Sequence, residues 1–335
     1  MQRSVGGDLS NHWFDEPNSR LYMIIRSRPS GFRLFFIFRG SVLSQISGVL
    51  FVNIALATLV TLTHGDIYSH KITLTAIPFT LIGLPLAIFL GFRNTAAYDR
   101  YCEGRKLWGE IVLQTRNFAR QCLTLIEHAA PLRPDAGLDD VRVRMIVRTI
   151  AFSHALRHLL RNTDAVTELK SLLVPQEWQK ISMVTNIPDY LMHQMGLDLR
   201  LCMDEKRLDG CLAAAIDMSM SSITAAAAAC ERIKSTPIPF SYTLMLHRTA
   251  YLYCFLLPFG LVDTIGFMTP FVVGIVAYTF FGLDALGDEI EEPFGDSPND
   301  LALDAICRGI EINLRDAIGD KHELTPLLPV DYCLM

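Results

Sequence analysis

Hydrophobic and polar positions fall into two regimes along this chain. No Asp, Glu, Lys or Arg occurs from Gly40 to Gly65, and a second charge-free stretch runs from Ile72 to Phe92, between Lys71 and Arg93. A third runs from Thr264 to Leu283, between Asp263 and Asp284. A bilayer core about 30 Å thick needs roughly 20 apolar residues of helix, so each stretch predicts a membrane span. Thr249 to Val262 is equally clean but short; it becomes a span if Ser235 to Leu246 extends it past His247 and Arg248. Four spans are expected.

The residues between the second and third spans are too polar for a bilayer but keep helical periodicity. Trp108, Ile111, Val112, Ala119, Cys122, Leu123 and Ile126 recur at three- and four-residue steps among Arg105, Arg116 and Arg120, which predicts an amphipathic helix continuing the second span. Pro131 to Gly137 breaks it, and Val141 to Arg161 predicts the return arm of a helical hairpin, with Arg142, Arg144, Arg148, Arg157 and Arg161 on its polar side. Gly210 to Arg232, rich in Ala and Ser, predicts a further helix small enough for close packing around a common axis. Ser297-Pro298-Asn299-Asp300 is expected to cap a last helix from about Leu301 to Ile318. No strand pattern or internal repeat is evident. The division expected is an extension at 1–22, spans one and two at 23–100, a cytosolic helical region at 101–234, spans three and four at 235–292, and a helix and tail at 293–335.

Composition sharpens this picture. Half of the 335 residues are hydrophobic and only 19% are charged, with a mean hydropathy of +0.28, too apolar for a soluble domain of this size. Arg20, Arg26, Arg28, Arg33 and Arg39 precede the first span, Arg93, Arg100, Arg105 and Lys106 follow the second, and Arg232, Lys234 and Arg248 flank the start of the third. Basic residues resist translocation, so both termini are expected in the cytoplasm. No signal peptide is expected. Eight cysteines without a C-x-x-C imply reduced thiols. A net charge of −5 offers nothing to nucleic acid, and no Gly-rich phosphate loop or H-E-x-x-H occurs.

The run Ala87-Ile88-Phe89-Leu90-Gly91-Phe92-Arg93-Asn94-Thr95-Ala96-Ala97-Tyr98-Asp99-Arg100-Tyr101, continuing through Glu103-Gly104-Arg105-Lys106-Leu107-Trp108-Gly109, resembles the bestrophin family, in particular its prokaryotic branch. Cys230-Glu231-Arg232-Ile233, Thr236-Pro237-Ile238-Pro239-Phe240-Ser241-Tyr242-Thr243 and Glu292-Pro293-Phe294-Gly295 resemble its other signatures in the same order, and the likeness extends from about Met23 to about Ile318. The resemblance implies an all-α homopentamer around a central pore, with four membrane helices per subunit, a hydrophobic neck and a cytosolic vestibule closed by a second constriction. It implies passive conduction of small ions such as sodium or chloride in an inner (plasma) membrane. Animal members are calcium-activated anion channels and bacterial ones have been described as sodium-permeable, so selectivity stays open.

Leu84, Ile88 and Phe92 match the family's neck positions, and four-residue steps keep them within roughly 80° of one helix face. The same spacing also describes a lipid-facing or packing surface. Pro78 and Pro85 support the pore reading, because each removes a helix hydrogen bond whose carbonyl protein or a water-filled path must satisfy, with ordinary kinks as the alternative. Cys211 falls nearest the cytosolic constriction, with a buried structural cysteine as the equal alternative. Asp288 to Asp300 lies where animal relatives hold calcium, but Ser297, Pro298 and Asn299 interrupt the acids, leaving Asp296 and Asp300 for a cation that wants six to eight oxygens. A solvated acidic turn is the expectation there. His154 and His158, at i and i+4, have no third zinc ligand nearby in sequence and are expected as a solvated or interface pair. No cofactor is expected. A secondary transporter would place ionisable groups near the bilayer midplane, where the three clean spans have none. An enzyme is not the expectation, since Ser, His and Asp show no nucleophile-elbow spacing and the cytosolic helices no recognisable metal set, and a non-conducting scaffold remains as a third reading.

Overall fold

The computed structural model describes residues 23–24, 40–64, 66–67, 70–71, 75–127, 137–295, 297–329 and 333–334. Ten α-helices carry the described chain: α1 Leu43–Leu62, α2 Ala76–Leu125, α3 Val141–Arg161, α4 Val166–Leu169, α5 Pro175–Ile181, α6 Ile187–Asp204, α7 Gly210–Ser235, α8 Phe240–Ile265, α9 Thr269–Glu291 and α10 Leu303–Ile318. Extended pairing among the described residues is limited to two antiparallel two-residue contacts, Met23–Ile24 with Cys333–Leu334 and Asp66–Ile67 with His70–Lys71. The fold is all-α, as the periodicity implies.

Among the described residues four stretches are long and apolar enough to cross a membrane: Leu43–Leu62, Ile77–Leu125, Gly210–Ser235 and Phe240–Glu291. The last holds α8 and α9, which turn on a single 3-10 turn at Gly266–Met268 where Gly266 takes φ +51°. α7 reaches this threshold through its alanines, yet it packs along the part of α2 that carries Arg105, Arg116 and Arg120. α8 runs unbroken through His247 and Arg248, which settles the length of the third apolar stretch.

α1, α2, α8 and α9 pack together through small apolar clusters. Ile46 meets Cys254, Ala277 and Phe281; Ala57 meets Phe79, Leu257 and Val273; Leu86 meets Leu246 and Ala250. Glycines set the closest approaches: a methyl at Gly260 would collide with the Phe79 ring, and one at Gly83 would stand 2.8 Å from the Tyr253 hydroxyl. In a bilayer, where lipid tails are as apolar as leucine, such close packing between small residues is a main source of helix attraction.

The larger core lies beyond these helices. Trp108, Ile111, Ala119 and Cys122 of α2 and Ile126 just past its end are buried, as their spacing predicts, against Ile216, Ile223 and Cys230 of α7 and against α3 and α10. At about 1.5 Å per residue the 50-residue α2 is about 75 Å long, so it serves both cores.

Several expectations are corrected. α3 is the helix expected after α2, but its arginine side faces the protein interior. It is enclosed by α2, α6 and α10, and its arginines are buried or half-buried in ion pairs: Arg144 with Asp198 at 2.9 Å, Arg148 with Asp198 and Glu177, and Arg161 with Asp304 at 2.6 Å. The last helix starts at Leu303, because Ser297 to Asp300 closes its own turn through Asp300 N–H donating to the Ser297 carbonyl. Pro78 sits in the first turn of α2, where its missing N–H has no helical acceptor to lose, so only Pro85 interrupts the ladder. The extension at 1–22 lies outside the described residues.

Candidate functional site

Helical geometry puts the three neck candidates on one open face. Leu84, Ile88 and Phe92 are 66%, 48% and 62% exposed on the single chain, and Leu81 and Ile77 continue the face toward the start of α2. Leu86, Leu90, Arg93 and Ala97 form the opposite, buried face. Sequence reasoning named the three and missed Leu81 and Ile77, although their three- and four-residue offsets extend the same stripe. Phe89 is partly open, its ring edge-on to Phe92 at 6.4 Å, so it flanks the stripe and is not a core residue like Leu90.

Immediately beyond Phe92, polar side chains bolt α2 to its neighbours. Arg93 is fully buried; Nη1 donates to Asp284 Oδ1 at 2.8 Å and Nη2 pairs with Asp288 of the same helix. His247 of α8 reaches the other Asp284 oxygen at 2.6 Å, so one carboxylate joins three helices. Asn94 Nδ2 donates to the Leu283 carbonyl at 3.0 Å. Two turns on, Arg100 donates to the carbonyls of Ile233, Thr236 and Glu291, the ends of α7 and α9. Helix C-termini present unpaired carbonyls and a partial negative charge, which a guanidinium neutralises. None of these partners was assigned from sequence.

Cys211 is exposed in the first turn of α7, where the Asp209 carboxylate caps the helix by accepting from Cys211 N–H at 2.8 Å. It is therefore not a buried structural cysteine. Asp300 is buried, its Oδ2 accepting from Ser297 N–H at 2.6 Å, while Asp296 lies outside the described residues. Glu289 accepts from Asn299, and Glu291 from Ile238 N–H. One oxygen each of Asp300, Glu289 and Glu291 is thus taken by a donor of the protein itself. No group of three His, Cys, Asp or Glu among the described residues is placed to hold a metal.

His154 and His158 are not a solvated pair. His154 Nδ1 lies 2.9 Å from Glu168 of α4 and Nε2 lies 3.3 Å from Glu311 of α10, while His158 Nε2 meets Glu168 at 2.6 Å. Burial opposes charge on His154, but its bonds to Glu168 and Glu311 outweigh that and raise its pKa. The same bonds, from His154 and then His158, hold Glu168 far below the usual carboxylate range.

An all-helical body with several membrane-crossing helices and an open apolar stripe on one of them defines a multi-span membrane protein. Its family follows from comparison: residues 23–316 match the bacterial and fungal bestrophin family, and the chain belongs to it. A voltage-dependent anion channel-forming protein of Mesorhizobium japonicum is 41% identical over 302 residues, covering 89% of this chain and 93% of that one. The protein YneE of Escherichia coli, with the same descriptive name, is 40% identical over 308 residues, 92% of this chain and 98% of the relative. A bacterial bestrophin homologue of Klebsiella pneumoniae superposes with a TM-score of 0.76 at 35% identity, over 83% of this chain and 100% of that one. These relatives are named for channel formation, not for a catalysed reaction, and the protein is an integral membrane protein.

Proposed function

We propose that copies of this chain, five in number, surround a pore that passively conducts small monovalent anions, with Leu84, Ile88 and Phe92 as stacked apolar rings. The observation carrying this reading is the open stripe on α2 opposite a face that is buried and pinned by charge. An ion entering a narrow apolar ring sheds hydration that nothing replaces, so such a ring closes by expelling water. The names of the relatives favour anions over sodium. In this reading α7 and residues 101–234 lie in the cytosol with both termini, in a bacterial plasma membrane whose lipid surrounds α1, α8 and α9. Cys211 lines the second constriction, and the channel needs no calcium.

The test is current through purified protein in planar bilayers with unequal NaCl on the two sides. A reversal potential near the chloride equilibrium value supports the proposal. Reversal near the sodium value overturns anion selection, coupled flux would make the protein a secondary transporter, and silence with intact oligomer would make it a scaffold.

A further inference from the structure

We infer that Arg93 is a positioning residue that sets the rotational phase of α2 at the neck, clamped to α9 through Asp284. The inference rests on the neck proposed above and adds what aims it. A helix turns about 100° per residue, so Arg93 stands about 140° around α2 from the middle of the Leu84–Ile88–Phe92 stripe. It grips the back of the helix at the end of the neck where the stripe finishes.

Apolar contacts of Leu86 with Leu246 and Ala250 hold α2 against α8 without direction, since hydrophobic attraction depends on the area buried and not on angle. Arg93 is directional. Its planar fork places Nη1 on Asp284 and Nη2 on Asp288, two carboxylates one helical turn apart on α9, and a rotation of α2 that kept one contact would break the other. Glu291 adds a third carboxylate 3.7 Å away. A wholly buried guanidinium is costly when unpaired, so the pairing is held firmly. Pro85 interrupts the backbone ladder one residue after Leu84, and Tyr242 Oη of α8 donates to the Phe89 carbonyl at 3.1 Å, a single-point restraint to which the two-carboxylate clamp adds a second bearing.

The surroundings are shaped for it. Gly287, between the two aspartates, has no side chain, and a methyl there would collide with Asn94 Oδ1 and stand 3.4 Å from Arg93 Nη1. The glycine lets α2 come close enough for Asn94 to reach the Leu283 carbonyl as well. His247 holds the second Asp284 oxygen from α8, so the carboxylate that aims α2 is itself fixed by a third helix.

The experiment is block of planar-bilayer current by a sulfonate-bearing methanethiosulfonate, read on Ile88→Cys and Leu90→Cys, with the otherwise native chain as baseline for its own cysteines. Ile88→Cys alone is expected to be blocked and Leu90→Cys spared. Adding Arg93→Gln, or the isosteric Asp284→Asn should Arg93→Gln fail to assemble on size exclusion, is expected to slow block at Ile88→Cys at least tenfold. Adding Arg93→Lys should restore part of the rate. Block at an unchanged rate with Arg93→Gln and with Asp284→Asn overturns the clamp while leaving the neck standing. An inert Ile88→Cys beside a blocked Leu90→Cys in the protein with its clamp intact overturns the neck itself.

Discussion

Ile88 and Leu90 stand two positions apart in one apolar run, and the helix sends them to opposite sides: Leu90 is fully buried and Ile88 is open. Their alanine variants should differ in kind. Ile88→Ala is expected to raise open probability or conductance by letting water into the ring, with Leu84→Ala and Phe92→Ala acting in the same direction. Leu90→Ala should leave conductance near the parent's while lowering stability by about 2–5 kcal/mol, as for other buried leucines. Single-channel recording and thermal denaturation of the same preparations separate the two. Phe89→Ala, at the flank of the stripe, falls between.

His154 gives a pH dependence with a definite sign. Its folded pKa lies above the ordinary 6.5, so its contribution to stability is complete below pH 6.5 and is lost as pH rises through the raised value. Glu168 and Glu311 are held below their ordinary 4.5, so theirs is present above pH 4.5 and lost as pH falls through the lowered values. Arg157 also pairs with Glu168, and Arg315 with Glu311 at 3.0 Å. The apparent melting temperature should therefore be highest between about pH 4.5 and 6.5 and decline on the alkaline side. His154→Gln should flatten the alkaline decline; an unchanged slope in that variant would assign it to another group.

At the scale of the helix, what is legible in the sequence depends on how local its cause is. Val141–Arg161 and the start of α7 at Gly210 agree with the expected bounds, because capping aspartates at 140 and 209 and apolar periodicity act within a turn or two. The burial of α3's arginines was not legible, since their partners lie at 177, 198 and 304. Arg93 and Asp284 are instructive in another way. Each marks, in sequence, the place where charge resumes after an apolar run. Two such markers on the same side of the membrane are natural partners, a signal present in the chain but not visible one span at a time. For α3, removing Arg148 strands Glu177 in the interior, so Arg148→Ala is expected to cost about 3–5 kcal/mol. Replacing the pair together, Arg148→Met with Glu177→Leu, should recover much of that in a denaturation series.

For the whole molecule, the segment after α9 is built as a brace. Leu301 N–H donates to the Pro293 carbonyl, Phe294 packs into the large core beside Gly104, and one oxygen each of Asp300 and Glu289 accepts from Ser297 N–H and Asn299. Currents recorded in a calcium chelator should match those in micromolar calcium; currents that vanish in chelator and return with calcium would mean the brace opens to take the ion. Residues 1–22 precede the stretch matched by the family, and their removal should leave the oligomer intact on size exclusion.

The unbroken run of α2 has a mechanical consequence. Past Pro85 it continues for 40 residues without another proline, a stiff rod about 60 Å long with one end beside the neck and the other beneath α7. A lever of that length amplifies: a tilt of about 5° at Pro85 carries the Leu125 end sideways by about 5 Å, about one helical turn. In the assembly proposed above, a small widening among apolar rings would become a large displacement beside Cys211 in the first turn of α7, and whatever held the far ends together would restrain the near ends with the same mechanical advantage.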